Sequence, residues 1–187
     1  LTTIEQQDFS FGDSNEKFSI QSISKVLSLT LALKLMGKDV WERVGVEPSG
    51  SAFNSLVQLE YEQGIPRNPF INAGAIVICD ILVTHLNNPK VELLEFIRKT
   101  SGIDTINYCS KVACSEQQTG YRNYALAYFM KSFGNIHNDV DAVLDLYFHL
   151  CSIEMTCKEL SQTFLFLASG GINPITGEFI ISLERTK

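Results

Sequence analysis

Gln21-Ser22-Ile23-Ser24-Lys25 sets a hydroxyl and an amine three residues apart, where a polar stretch gives way to an apolar one. Val26, Leu27, Leu29, Leu31, Ala32, Leu33, Leu35 and Met36 follow, and Gly37 marks a stop. Such a segment reads as a helix that is apolar on nearly every face and lies inside the domain. Residues three apart share a helix face, so Ser22 and Lys25 are expected to point into one pocket, within hydrogen-bond reach of each other. A hydroxyl is a weak nucleophile until a neighbouring base takes its proton, and an ammonium is no base until its pKa falls. Burial and the positive end of the helix dipole both lower it. The pair therefore suits acyl transfer, and the plainer alternative is a serine helix cap beside a lysine that snorkels to solvent. A second Ser-x-x-Lys match, Ser14 to Lys17, falls in the polar run Gly12–Lys17. That run reads as a solvated turn, which cannot desolvate a lysine.

The 187 residues are 45% hydrophobic, enough for one sizeable core and about one domain. A formal charge of -6 and a pI near 5.1 argue against nucleic acid and against an anionic membrane surface as partners. The longest apolar runs, Ala73 to Cys79 and Phe164 to Ala168, are too short to span a bilayer. A small-molecule partner is expected. The five cysteines, Cys79, Cys109, Cys114, Cys151 and Cys157, form no Cys-x-x-Cys pair and are odd in number, which reads as reduced thiols in a cytoplasmic protein. His85, His137 and His149 lack metal-ligand spacing and no Gly-rich phosphate loop occurs, so neither a metal nor a cofactor is expected.

Along the chain, Thr2–Glu5 and Lys17–Ile20 read as a β-hairpin that delivers the chain to Ser22. Helices are expected from about Asn72 to Leu86, from Pro89 to Lys99, from Arg122 to Phe133 and after the Asn138-Asp139 caps. The Thr156-Cys157-Lys158-Glu159 capping box opens a last helix that runs to Gly170-Gly171. The stretch Glu47–Asn68 reads as a long loop, Asn107–Gly120 as polar and irregular, and Glu178–Leu183 as the start of a strand. A helical middle between a hairpin and a returning strand implies a mixed α/β (α+β) domain in which a helical subdomain packs on an antiparallel sheet.

Several stretches extend the Ser-x-x-Lys pair. They are Phe18 to Lys25, Val44 to Gly50, Asn68 to Ile76, Ser115-Glu116 with Arg122-Asn123, Tyr147-Phe148 through Cys151-Ser152-Ile153-Glu154, and Pro174 to Glu178. Together, and in this order, they resemble the bacterial and mitochondrial-type glutaminases, which share the fold of serine β-lactamases and penicillin-binding proteins. The resemblance implies hydrolysis of L-glutamine to L-glutamate and ammonia, with Ser22 as the nucleophile and Lys25 as its base. It assigns Glu116 to the substrate α-ammonium, Asn72 and Asn123 to the α-carboxylate, and Gln21 and Tyr147 to further substrate contacts. Read without the family, Glu116 is a solvated loop acid, Asn72 an N-cap, Asn123 a helix-start residue, Gln21 a strand-end polar residue and Tyr147 a core aromatic. Arg122 is expected to hold Glu116 or a loop. No cofactor is implied, and the assembly implied is a homodimer or homotetramer.

Residues 1–187 are thus expected to form a single, incomplete catalytic domain: 1–21 a hairpin of the sheet, 22–170 mainly helical, and 171–187 a return toward the sheet. The family's Tyr-Ile-Pro segment, a tyrosine of its C-terminal third and its Lys-Ser-Gly strand have no counterpart here. The chain alone is accordingly expected to be inactive or nearly so. Two competing readings are a β-lactamase or penicillin-binding type of serine acyl hydrolase, which lacks its Ser-Asp-Asn motif here, and a non-catalytic helical interaction domain.

Overall fold

The protein is described by a computed structural model that covers residues 1–50, 52 and 55–186. In chain order the elements are β1 (Phe18–Ser19), α1 (Lys25–Met36), α2 (Val57–Tyr61), α3 (Asn72–His85), α4 (Pro89–Ser101), β2 (Asn107–Tyr108), α5 (Ser110–Thr119), α6 (Tyr121–Ser132), α7 (Val140–Cys151), β3 (Ile153–Met155), α8 (Cys157–Thr163) and α9 (Leu165–Ala168). A 3-10 turn over Gln21–Ser24 joins β1 to α1, and further 3-10 turns cover Gly37–Glu42 and Leu183–Thr186.

The apolar runs decide what lies in the middle. Every residue of α3 from Ala73 to Leu82 is buried, and α1 buries Leu27 through Leu33. A helix with no polar face is stable in water only when other elements enclose it. For α3 these are α1, α6 and α7, and α7 turns Val143, Leu144, Leu146, Phe148 and Leu150 inward. Each such side chain, fully buried, contributes about 1.5–3 kcal/mol. The expected stops and caps are in place: Gly37 and Gly102 end α1 and α4, Asp139 accepts from Asp141 N and Ala142 N, and Thr156 with Glu159 forms the capping box of α8.

The sheet differs from the expected hairpin. β1 pairs with β3, as Phe18 with Met155 and Ser19 with Glu154, and β3 pairs with β2 on its other edge, all antiparallel in the order β1-β3-β2. Thr2 instead bridges Asp8 across its own short loop, where its hydroxyl donates to the Asp8 carboxylate at 2.7 Å. The reason is burial: Ile153 and Met155 are completely enclosed and give β1 an apolar partner, whereas the residues from Glu5 to Asp8 are polar. Ile20 N–H extends this pairing by donating to Ile153 O at 2.9 Å.

Four other segments depart from expectation. Asn107–Gly120 is regular, forming β2 and α5; docking of α5 on α7 supplies a stability that its polar sequence does not advertise. The last helix breaks at Phe164 into α8 and α9. Among the described residues Glu178–Leu183 makes only a single bridge, Phe179 with Ile172, before entering a 3-10 turn. The expected loop Glu47–Asn68 contains α2, while its residues Ser51, Phe53 and Asn54 lie outside the described residues.

One polar side chain interrupts the apolar length of α3. Asp80 is fully buried, and Arg43 Nη2 donates to it at 2.5 Å. His137 N donates to it at 3.2 Å, and Asn138 N and Nδ2 each at 2.9 Å. Asn135 completes the cluster by donating from Nδ2 to Arg43 O and Gly64 O. The chain after Gly37, the α6–α7 connection and α3 are thereby fastened at one point. Burial alone would raise the Asp80 carboxyl, but the hydrogen bonds from Asn138, Arg43 and His137 outweigh it and hold the pKa below 3.8.

Two outcomes follow for Asp80. Its contribution to stability should be complete above the unfolded-state pKa and lost as pH falls through the lower folded-state value, so Asp80→Asn should flatten the acid limb of the stability curve. Asp80→Ala leaves a guanidinium without its partner and should cost about 3–5 kcal/mol, measured by urea unfolding at pH 7.

Candidate active site

Gln21 enters the 3-10 turn with φ +47°, a conformation that few side chains other than glycine adopt readily. Its carbonyl accepts from Ser24 Oγ at 2.6 Å, and Ser19 Oγ donates to Cys151 O at 2.6 Å, so the turn is tied to itself and to the end of α7. The 3-10 turn covers Gln21–Ser24 and Lys25 opens α1, and in such a turn side chains three apart fall on the same side. Ser22 is exposed and makes no side-chain hydrogen bond among the described residues. It does not cap α1.

Lys25 is 3% exposed, so it does not snorkel. Its Nζ donates to Phe70 O at 3.0 Å and to Asn72 Oδ1 at 2.7 Å. The hydrogen bond expected between Ser22 and Lys25 is not formed. Desolvation lowers the Lys25 pKa from its ordinary 10.5, and nearby Cys151 and Cys79 would oppose that shift only as thiolates. Burial in turn pushes both thiols up, Cys151 to about 12, so they present a neutral floor to the amine.

The two acceptors of Lys25 arrive by backbone packing. Asn68 Oδ1 accepts from Phe70 N at 3.0 Å and Ile71 N at 3.1 Å, folding Asn68-Pro69-Phe70 against the start of α3. That approach needs Gly74: a Cβ there would stand 2.0 Å from Asn68 O. Asn72 opens α3, yet no side-chain cap bond is made there. Its amide is occupied at both ends, since Oδ1 faces Lys25 and Nδ2 donates to Asn123 Oδ1 at 3.1 Å.

Glu116 on α5 and Asn123 on α6 are brought together by Gly120, which separates the two helices. A Cβ at Gly120 would meet the Phe148 ring at 2.6 Å and Glu116 O at 2.7 Å. A cleft of about 400 Å³ results, lined by Asn72, Glu116, Thr119, Gly120, Arg122 and Asn123 together with Tyr121. Gln21 Nε2 donates to Glu116 Oε1 at 3.2 Å, joining the turn that carries Ser22 to the wall of this cleft. Tyr147 does not line it. That side chain is 2% exposed and packs at 5.9 Å from the Phe148 ring, as a core aromatic does. Burial and the neighbouring Cys151 raise its hydroxyl pKa well above 10.

Of the residues expected from sequence, Asn72, Glu116 and Asn123 therefore share one cleft, with Gln21 bonded to its rim. Lys25 reaches it through Asn72. Sequence reasoning missed the Phe70 carbonyl, because a backbone acceptor leaves no mark in residue identity. Among the described residues no three His, Cys, Asp or Glu side chains converge as metal ligands, and no helix is long and apolar enough to cross a membrane.

The glutaminase family model matches residues 1–187. The chain belongs to the glutaminase family. It is 70% identical over 187 residues to a glutaminase of Saccharophagus degradans, covering all of this chain and 61% of that protein. It is 58% identical over 177 residues to a glutaminase of Vibrio cholerae, covering 94% of this chain and 58% of that one. A crystal structure of a Bacillus glutaminase in 4.3 M NaCl superposes with a TM-score of 0.90 at 35% identity, over 99% of this chain and 63% of the other. A probable glutaminase of Bacillus subtilis gives 0.85 at 37% identity, over 94% and 57%. The chain thus spans about three fifths of the length of the curated relatives it matches. Its mixed α/β architecture is that of the glutaminases, a β-lactamase-like fold.

The Lys25–Asn72 contact yields a test. Asn72→Asp sets a carboxylate beside the amine, which should raise the Lys25 pKa and move the acid limb of the pH–rate profile to higher pH. The profile is measured on protein of the relatives' full length; a limb that stays in place would mean that Asn72 does not govern the amine.

Proposed function

We propose that the protein hydrolyses L-glutamine to L-glutamate and ammonia through an ester formed on Ser22, with Lys25 as the general base. The observation that carries this reading is the Lys25 amine, buried, lowered in pKa and held by two oxygen acceptors three residues from an exposed serine. A neutral amine has two hydrogens and one lone pair. With the hydrogens given to Phe70 O and Asn72 Oδ1, the lone pair is the part left for the Ser22 proton.

In this mechanism Ser22 Oγ attacks the side-chain carboxamide carbon as its proton passes to Lys25. The tetrahedral intermediate collapses, the C–N bond breaks, and the leaving nitrogen takes a proton and departs as ammonia. Water then adds to the ester and releases glutamate, and Ser22 recovers its proton. Glu116 pairs with the α-ammonium, Asn72 and Asn123 offer amide hydrogens to the α-carboxylate, and Gln21 completes the contacts. Five free thiols support a reducing, cytoplasmic setting, and the family supports a homodimer or homotetramer as the working assembly.

In protein of the relatives' full length, Ser22→Ala should abolish ammonia release while leaving the melting temperature near that of the parent. A glutamine analogue with a diazoketone warhead should label Ser22 and add one adduct mass to its peptide. Glu116→Gln should mainly raise KM, by roughly ten- to a hundredfold, as expected for loss of a hydrogen bond between charged groups. Substantial turnover by the Ser22 variant would falsify the covalent route.

A further inference from the structure

The cleft beside Asn72 carries two charged side chains of opposite sign, Glu116 and Arg122. Arg122 was expected to hold Glu116 or a loop, and it does neither. Glu116 accepts instead from Gln21 Nε2, and exposed Arg122 makes no side-chain hydrogen bond or ion pair among the described residues. Its guanidinium is left with all its donors free at the wall of a cleft large enough for an amino acid.

Two neutral groups of the cleft are less free, while Asn123 uses only its Oδ1 among the described residues and keeps both amide hydrogens. Asn72 keeps one amide hydrogen after bonding Lys25 and Asn123, and the Thr119 hydroxyl is spent on Ser115 O at 2.8 Å. Asparagine amides also carry both donors and acceptors, so they accommodate a carboxylate and a carboxamide almost alike. A guanidinium is different: it offers only donors, in a planar fork that matches a carboxylate and gives nothing to an NH2 group. A ligand that satisfies Glu116 and Arg122 together carries a cationic donor and an anionic acceptor, as the ammonium and carboxylate on the α-carbon of a free amino acid do.

We propose that Arg122 is a specificity-determining residue that pairs with the substrate's α-carboxylate and so selects free glutamine over glutamine whose α-carboxyl is amidated or peptide-bonded. This rests on the glutamine reading given above. Glu116 fixes one end of the amino-acid head and Arg122 the other, which leaves the neutral side-chain carboxamide as the end presented to Ser22.

The test is steady-state ammonia release by protein of the relatives' full length, on L-glutamine and on L-glutamine α-amide. Arg122→Gln should raise KM for L-glutamine about tenfold, the low end for a hydrogen bond between charged groups because Arg122 is exposed, with little change in kcat. The same variant should leave KM for the α-amide unchanged, and Arg122→Lys should fall between parent and Arg122→Gln on L-glutamine. Melting temperatures equal to the parent's would show that both variants fold. An unchanged KM for L-glutamine in Arg122→Gln, or equal losses on the two substrates, overturns the assignment while leaving the glutaminase reading intact. Failure of the parent to release ammonia from L-glutamine overturns both.

Discussion

An amine carried into the interior by a helix without a polar face must find acceptors there, because burying a charge or an unpaired donor costs several kcal/mol. Lys25 is that amine, and no acceptor on α1 itself serves its Nζ. Both come from the segment between Phe70 and Asn72, at the point where an extended chain turns into α3. The requirement therefore couples two elements remote in sequence. The 3-10 turn at Ser22 is correct only if Asn68-Pro69-Phe70 lies against α3, and that packing is correct only if position 74 has no side chain. Asn72 then carries the coupling outward, through Asn123, to the cleft wall on α6.

The second polar cluster has a different character. Asp80 sits two turns farther along α3 and binds the chain around Arg43, Asn135 and Asn138 with complete hydrogen bonding. A fully satisfied buried network fixes one arrangement of its elements. Along α3 the lysine contact at Asn72 thus stands at the open end of the helix, beside the cleft, and the carboxylate cluster at the closed one. The first has amide hydrogens left to give; the second has every carboxylate oxygen engaged.

Much of this was legible in residue order. The absence of a polar face in residues 26–36 and 73–82 placed α1 and α3 inside, and the caps at Asp139 and Thr156 fixed where α7 and α8 begin. Periodicity also described Tyr147 correctly as a core aromatic. What escaped was non-local. The partner of β1 lies more than 130 residues away, and nothing in Lys17–Ile20 distinguishes a hairpin mate from β3. Helix α5 owes its order to docking on α7, and Asn138, which looks like a second cap, spends its amide on Asp80. For the site, the Ser-x-x-Lys spacing nominated Lys25, and the family resemblance nominated Asn72, Glu116 and Asn123. They could not say that Asn72 touches Lys25, or that Arg122 stands free of Glu116.

Gly74 also bears on how the protein can change. An interior glycine weakens a helix by up to about 1 kcal/mol relative to alanine, so residue 74 looks like an easy place to gain stability. In α3 that gain is out of reach, since the added methyl would occupy the space of the Asn68 carbonyl. Pushing the carbonyl away would carry Phe70 with it and take one of the two acceptors from Lys25. The weak spot in the central helix is therefore tied to the chemistry at its head, and a screen for heat resistance should pass over position 74 whenever activity is also selected.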